Sequence, residues 1–152
     1  SEMCIRDRSK LYKVEKFMSE ALGKRVWLKS GGYLVIEPTE ALCVIDVNTG
    51  KYSGKKNLHD TIMKINTEAA VEIARQLRLR NLSGIIIIDF IDMETEEDQR
   101  ELLSVLSRVL AKDPVKTSVV EITKLNLVEV TRKKIRRPFH EQAALIKGKA
   151  DT

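Results

Sequence analysis

The chain has 152 residues, an ordinary size for one domain, and 43% of them are hydrophobic while 32% are charged. This composition is typical of a globular protein and excludes disorder over the central part. Apolar runs such as Ile85–Ile88 are far shorter than the roughly 20 residues of a membrane-spanning helix. Cys4 and Cys43 are too few and too far apart for a disulfide framework or a zinc cluster. We therefore expect one domain without a membrane span, in a reducing, cytoplasmic setting.

The formal net charge of +5 is unevenly distributed along the chain. Residues 1–36 carry +4 and residues 114–152 carry +5, whereas residues 37–93 and 94–113 carry −1 and −3. This pattern suits a body that holds a cation near its centre and contacts a polyanion through its flanks, although a solvated surface explains it equally well.

Residues 1–9 are set apart from the fold. Glu2–Arg8 resembles the translation of a transposon adapter, so we interpret this segment as an adapter or cloning scar that is not part of the fold.

In the first half of the remaining chain, the sequence pattern predicts a helix, a hairpin and a buried strand. Apolar residues recur at helical spacing over 11–22, and Gly23 follows as a stop. Short strands are predicted at 26–28 and 33–37, joined by a turn at Gly31 and Gly32. Residues 42–47 form a nearly continuous apolar run, which predicts a strand buried on both faces.

The second half alternates helices and strands. An apolar stripe from Leu58 to Leu77 predicts a long helix that ends near Arg80, and residues 84–90 form the clearest central strand. Thr95 and Asp98 predict the capped start of another helix, which Asp113 and Pro114 stop. Strands are predicted at 119–122 and 128–132, and a flexible tail at 139–152.

This order of elements predicts an α/β fold with a mixed β-sheet and packed helices. The helix between the strands that end at Asp46 and Asp89 makes them parallel and neighbouring, with a right-handed crossover.

The two acids at these strand ends are the main candidates for chemistry. Asp46 and Asp89 each follow four apolar residues, and the carboxyl ends of parallel strands meet at one edge of a sheet. Two carboxylates about 4 Å apart repel by roughly 4 kcal/mol at an effective dielectric of 20, which a divalent cation would offset. Oxygen ligands without nearby Cys or His favour Mg²⁺, or Mn²⁺, over zinc. For either Asp taken alone, the simpler interpretation is that it caps a strand end or a loop.

Three segments carry a resemblance to the bacterial ribonuclease E/G family. They are residues 30–50 (SGGYLVIEPTEALCVIDVNTG), 66–70 (NTEAA) and 72–93 (EIARQLRLRNLSGIIIIDFIDM). The match is to that family's catalytic subdomain, which is DNase I-like or ribonuclease H-like, and it implies that residues 10–138 are a metal-binding catalytic subdomain.

The resemblance implies roles for particular residues. Asp46 and Asp89 match the family's magnesium-binding aspartates, and Asn48 matches the amide that supports the first of them. The implied activity is endonucleolytic cleavage of single-stranded, A/U-rich RNA in rRNA processing and mRNA decay, leaving 5′-phosphate and 3′-hydroxyl ends. The metal would neutralise charge at the scissile phosphate and activate water for in-line attack. Asp92 also matches a family position, which we interpret as a cap.

Other parts of the family are expected outside this chain. Its oligonucleotide-binding barrel and 5′-monophosphate pocket belong upstream, and the cysteine pair that shares zinc between protomers belongs downstream. We therefore expect a homo-oligomer only in a longer protein, and weak activity from these residues by themselves.

Two groups of basic residues are candidate RNA contacts. One follows Asp46 in a loop, and the other is a run near the C-terminus, although such runs are commonly solvated faces. They comprise Lys51, Lys55 and Lys56, then Arg132, Lys133, Lys134, Arg136 and Arg137. His59 and His140 have no partner carboxylate at a useful spacing, and Trp27, Phe90 and Cys43 are interpreted as core residues.

Two alternatives to a nuclease remain open. One is a non-catalytic RNA-binding or assembly module, although such a module would tolerate loss of Asp46 or Asp89, and both are present. The other is a phosphatase with Asp46 as nucleophile, but that chemistry needs a second acid where Asn48 stands.

Overall fold

The computed structural model describes residues 23–50 and 57–135, which form six strands and two helices. The N-terminal half holds three strands and the longer helix, and the C-terminal half holds the other four elements. In chain order they are β1 (Arg25–Trp27), β2 (Tyr33–Pro38), β3 (Leu42–Asn48), α1 (Leu58–Leu79), β4 (Gly84–Asp89), α2 (Glu96–Leu110), β5 (Thr117–Ile122) and β6 (Val128–Arg132).

The strands form one mixed sheet in the order β1-β2-β3-β4-β6-β5. β3 and β4 pair in parallel, and every other neighbouring pair is antiparallel. The α/β fold and the parallel neighbours predicted from the crossover helix are therefore confirmed.

One face of the sheet, which we call the covered face, packs against both helices in a single apolar core. Alternate strand residues are buried there together with the apolar stripes of α1 and α2. The covered face includes Leu34, Ile36, Cys43, Ile45, Val47, Ile86, Ile88, Val128 and Val130.

The other face, which we call the open face, is only partly buried by the described residues. Along β3 the pattern alternates between buried and half-buried side chains, so the predicted burial of this strand on both faces is wrong for the described part of the chain. The error arose because the open-face residues Leu42 and Val44 are also apolar. Asp46 and Asn48 lie on the same open face of β3, towards the end of the strand.

Local capping explains where the helices begin. The side chain of Asn57 accepts a hydrogen bond from the backbone N–H of Asp60, and Thr95 does the same for Asp98. At the end of α1, Asn81 has φ +50° and the N–H of Leu82 bonds the carbonyl of Leu77 at 3.0 Å. The predicted boundaries of α1 and α2 are confirmed to within a few residues.

Several predictions concern residues outside the described ones. These are the helix at 11–22, the scar at 1–9 and the tail at 139–152, and they stay predictions. Within residues 23–50 and 57–135, no helix is both long and apolar enough to cross a membrane.

Candidate functional site

The two candidate acids lie side by side on the open face. Asp46 and Asp89 are register partners in the parallel β3–β4 pair, so their side chains point to the same side of the sheet. Neighbouring strands lie about 4.8 Å apart, which brings the two carboxylates within reach of one ligand. The structure therefore brings together the pair that the sequence predicted at equivalent strand ends.

Asn48 supports the first acid. Its Nδ2 donates to Oδ2 of Asp46 at 3.3 Å, and both side chains are half-buried. The hydrogen bond fixes the orientation of one carboxylate oxygen and leaves the other available. This contact fits the supporting role that the family resemblance implies for Asn48.

Gly50 fixes the backbone just beyond Asn48. Its φ is +60°, and a Cβ built on it would lie 2.3 Å from the carbonyl oxygen of Gly31 and 3.1 Å from Cδ1 of Tyr33. Only glycine allows so close an approach in this backbone conformation. The segment after β3 is therefore held against the β1–β2 turn.

The electrostatics of the pair favour a cation. Partial desolvation raises the pKa of Asp89 above its usual 3.8, and the nearby carboxylates of Asp46 and Asp92 raise it further. Negative charge at this end of the sheet is thus disfavoured without a positive partner. A bound cation would remove that penalty.

Asn66 holds the segment that follows Asp89, a role that was not predicted from the sequence. It is fully buried in α1. Its Nδ2 donates to the carbonyl oxygen of Ile91 at 2.9 Å, and its Oδ1 accepts from the N–H of Ile91 at 3.0 Å. The available signal was an amide next to the apolar stripe of α1, between Ile65 and Ala69, where a side chain must be buried.

The donor set fits a hard cation. The oxygens come from two carboxylates, while the thiol of Cys43 is buried on the covered face, where burial raises its pKa. Within the described residues, no group of three or more His, Cys, Asp and Glu side chains could hold a metal ion. A site with two carboxylates suits Mg²⁺, which keeps several waters, better than zinc, which takes about four protein ligands at structural sites.

The structure corrects the prediction that Arg132 contacts RNA. Its side chain is 3% exposed, and its Nε donates to Oδ2 of Asp113 at 2.9 Å. Its Nη1 donates to Oδ1 of Asn81 and to the carbonyl oxygen of Leu82, both at 3.0 Å. The guanidinium is therefore committed to joining β6 to the ends of both helices.

The other predicted basic contacts divide into two groups. Lys133 and Lys134 are exposed beyond β6 and stay candidates. Nothing is described for the remaining five, which are Lys51, Lys55, Lys56, Arg136 and Arg137.

Two further interpretations need correction. His59 has carboxylate partners, since its Nε2 lies 2.7 Å from Oδ2 of Asp98 and its Nδ1 lies 3.3 Å from Oδ1 of Asp60. Trp27 is 52% exposed instead of belonging to the core. The core positions of Phe90 and Cys43 are confirmed, and His140 lies outside the described residues.

Comparisons with known proteins identify the family of this chain. The model of the "Ribonuclease E/G family" matches residues 5–135. Ribonuclease G of Salmonella typhimurium and Ribonuclease G of Escherichia coli are each 56% identical over 126 residues, which cover 83% of this chain and 26% of the relative. Ribonuclease E of Synechocystis sp. is 49% identical over 130 residues, covering 86% of this chain and 19% of the relative.

The chain thus spans about a quarter, or less, of the length of these curated relatives. The family match nevertheless covers most of the chain and includes both strands of the acid pair. The chain belongs to the ribonuclease E/G family.

Proposed function

We propose that these residues are the catalytic subdomain of a magnesium-dependent endoribonuclease that cleaves single-stranded, A/U-rich RNA and leaves 5′-phosphate and 3′-hydroxyl ends. The observation that carries the proposal is the register pair Asp46 and Asp89 on the open face. Family membership supports it, because matching relatives are named Ribonuclease G and Ribonuclease E. Roles in rRNA processing and mRNA decay, a cytoplasmic location and a homo-oligomeric longer protein belong to the same proposal.

The chain's own side chains divide the work at the site. Asp46 and Asp89 would hold Mg²⁺, or Mn²⁺, through carboxylate oxygens. When bound, the cation supplies positive charge against the charge that builds up on the phosphate and makes water a stronger nucleophile. Asn48 orients Asp46, and Asn66 holds the backbone after Asp89 in place.

Basic residues would bind the rest of the substrate. Lys133 and Lys134 are exposed beyond β6, where they can neutralise RNA phosphates. The same role is proposed for Lys51, Lys55, Lys56, Arg136 and Arg137.

The phosphatase alternative has little support from the site. A nucleophilic Asp46 would need a general acid to protonate the leaving group, and its neighbour Asn48 is an amide that donates to Asp46 itself. The cleavage and metal-binding experiments below distinguish a nuclease from a non-catalytic RNA-binding or assembly module.

The test compares Asp46→Asn and Asp89→Asn with Glu121→Gln, which neutralises an exposed carboxylate on β5, two strands beyond β4 in the sheet. Cleavage of a 5′-monophosphorylated A/U-rich oligoribonucleotide is measured with protein in excess, with and without Mg²⁺. We expect each Asp substitution to lower the Mg²⁺-dependent rate about 100-fold or more, roughly 3 kcal/mol, while Glu121→Gln does not. Mg²⁺ titration by NMR should show weaker binding to the same two variants.

Thermal melting without metal separates chemistry from folding. Because the folded-state pKa of Asp89 is raised, ionisation of this group costs stability above its usual pKa of 3.8. We therefore expect Asp89→Asn to melt slightly higher at pH 7, on the order of 1 °C, and this difference to vanish as the pH falls below 3.8.

Cleavage that survives Asp46→Asn would contradict the proposal, and metal binding without cleavage in a longer protein would favour the non-catalytic module.

A further inference from the structure

An aromatic cluster lies on the first two strands of the sheet. The rings of Trp27 and Tyr33 are 5.0 Å apart between centroids, at an interplanar angle of 53°. The guanidinium of Arg25 lies 4.3 Å from the Tyr33 centroid and 5.7 Å from that of Trp27. Trp27 is 52% exposed, and it is the one aromatic side chain among the exposed large hydrophobic residues of the described part of the chain.

Strand register places this cluster on the same face as the acid pair. Trp27 pairs with Tyr33, and Tyr33 pairs with Asn48, so these three side chains form one row across β1, β2 and β3. All three therefore lie on the open face.

The adjacent row runs from Arg25 through Val35 and Asp46 to Asp89. Adjacent strands are about 4.8 Å apart, so β1 lies roughly 10 Å from β3. One bound strand could contact both the cluster and the acid pair.

The chemistry of the cluster matches an unpaired nucleotide. Exposed aromatic rings on a sheet surface stack with bases, and every base offers a π face whatever its sequence. Arg25 already lies over Tyr33, so its positive charge is positioned without further ordering of a flexible side chain. Lys29 is exposed beyond β1 and adds positive charge for phosphates, whereas Lys24, on the other side of β1, is paired with Glu37 at 3.7 Å.

Aromatic and Arg side chains also occur in protein interfaces. Two observations favour RNA here. The cluster shares its face with the acid pair, and its one charged member, Arg25, is basic, which complements a polyanion and not a second copy of this basic chain.

We propose that Trp27, Tyr33 and Arg25 form a stacking site for an unpaired base of the RNA strand whose phosphate reaches Asp46 and Asp89. The inference rests on the proposed function in one respect, that RNA is the substrate. It names a binding subsite on β1 and β2, separate from the acid pair.

Trp27 is the single tryptophan of the chain, so its intrinsic fluorescence reports on the cluster directly. The probe is a single-stranded A/U-rich oligoribonucleotide, in EDTA so that no cleavage occurs, and a duplex of equal length serves as the comparison. We expect the single strand to quench Trp27 in a saturable manner and the duplex to quench it far less.

Variants measure how much the stacking contributes. Affinity is followed by the anisotropy of end-labelled RNA for Trp27→Ala, Trp27→Phe and Tyr33→Ala. Leu125→Ala is the matched control, because it truncates a side chain that is 80% exposed between β5 and β6. We expect Trp27→Ala to weaken binding about tenfold, Trp27→Phe to restore most of the loss, and Leu125→Ala to have no effect.

The outcomes separate this inference from the proposed function. Unchanged affinity in Trp27→Ala, without quenching in the parent, would overturn the stacking site even if Asp46-dependent cleavage persists. Quenching and weakened binding without any Mg²⁺-dependent cleavage would support the stacking site and count against the nuclease. Burial of Trp27 by self-association without RNA, seen by sedimentation and lost in Trp27→Ala, would overturn the inference in favour of a second copy.

Discussion

The two faces of the sheet are made by alternate residues of the same strands, yet they differ in almost every property. On β3, Ile45 and Val47 are buried on the covered face, while Asp46 and Asn48, which alternate with them in sequence, lie half-buried on the open face. The covered face contributes stability through apolar burial, at about 25 cal/mol per Å². The open face instead carries like charges whose proximity opposes folding.

The comparison teaches that stability and chemistry can be changed separately in this fold. A substitution on one face should alter melting, and its neighbour in sequence should alter binding or cleavage. Three polar residues, Arg132, Asn66 and His59, test this division because each lies in or beside the helices that pack on the covered face.

The largest effect is expected at Arg132. Replacing it with Gln leaves the carboxylate of Asp113, which is 1% exposed, without its charged partner. Burial opposes ionisation of Asp113, but hydrogen bonds from Arg132, Val115 and Thr117 hold the pKa of that carboxyl below 3.8. We expect Arg132→Gln to lower the free energy of unfolding by about 3–5 kcal/mol, measured by urea denaturation.

Lys133→Gln is the matched control for Arg132. It changes the same charge one residue later, at an exposed position, so its effect on unfolding should lie within about 0.5 kcal/mol. If both substitutions changed the free energy of unfolding equally, the burial of Arg132 would not give it a larger role in stability than the exposed basic residues that follow it.

A smaller effect on stability, with a second effect on metal binding, is expected at Asn66. Asn66→Ala leaves the N–H and carbonyl groups of Ile91 without this partner and should cost about 1–3 kcal/mol. Because Ile91 follows Asp89 by two residues, Mn²⁺ binding measured by EPR should also weaken. This result would show that a residue buried in α1, on the covered side of the sheet, affects metal binding on the open face.

Gln76→Ala controls for loss of a buried amide in the same helix. Gln76 is 1% exposed, and it bonds Glu72 and Arg80 instead of the segment after Asp89. We expect a comparable loss of stability with unchanged Mn²⁺ affinity. If both variants bind Mn²⁺ equally, Asn66 has only a structural role.

The smallest effect is expected at His59, which links the starts of the two helices. Hydrogen bonds to Asp60 and Asp98 raise the pKa of His59 above 6.5, with the charge of Asp98 acting in the same direction. The protonated form therefore stabilises the folded state, fully below pH 6.5 and progressively less as the pH rises through the raised value. The melting temperature of His59→Gln should fall below that of the parent at pH 5.5 and match it at pH 8.5.

Asp98→Asn checks the origin of the His59 effect. It removes the partner on α2 and should reduce the pH-dependent difference without abolishing it, because the hydrogen bond to Asp60 remains. A His59→Gln variant with the same deficit at both pH values would mean that packing, and not charge, links the helices.

Much of the fold and the acid pair could be predicted because their signals are local or topological. The helical stripe between two apolar strands requires parallel neighbours, and that pairing alone brings Asp46 beside Asp89. The alternation of Val128, Val130 and Arg132 also contained the signal that Arg132 points inward, but the neighbouring Lys and Arg residues obscured it.

Other features depend on packing that the sequence pattern does not encode. The contact of His59 with Asp98 joins residues far apart in the chain, at the starts of two helices whose relative position only the fold defines. The exposure of Trp27 depends on β1 being a short strand at the edge of the sheet. Hydrophobicity alone therefore assigned this residue to the wrong environment.

The parallel pairing of β3 with β4 also links any ligand of the acid pair to the folding reaction. Asp46 and Asp89 meet only after α1 has crossed over and both strands have paired, so the unfolded chain has no equivalent site. A cation held by the pair binds the folded state alone and stabilises it by RT ln(1 + [L]/Kd), about 2.7 kcal/mol at a concentration of 100 Kd. The midpoint of unfolding should therefore depend on the concentration of free divalent cation, and the slope of that dependence counts the ions taken up as the crossover forms.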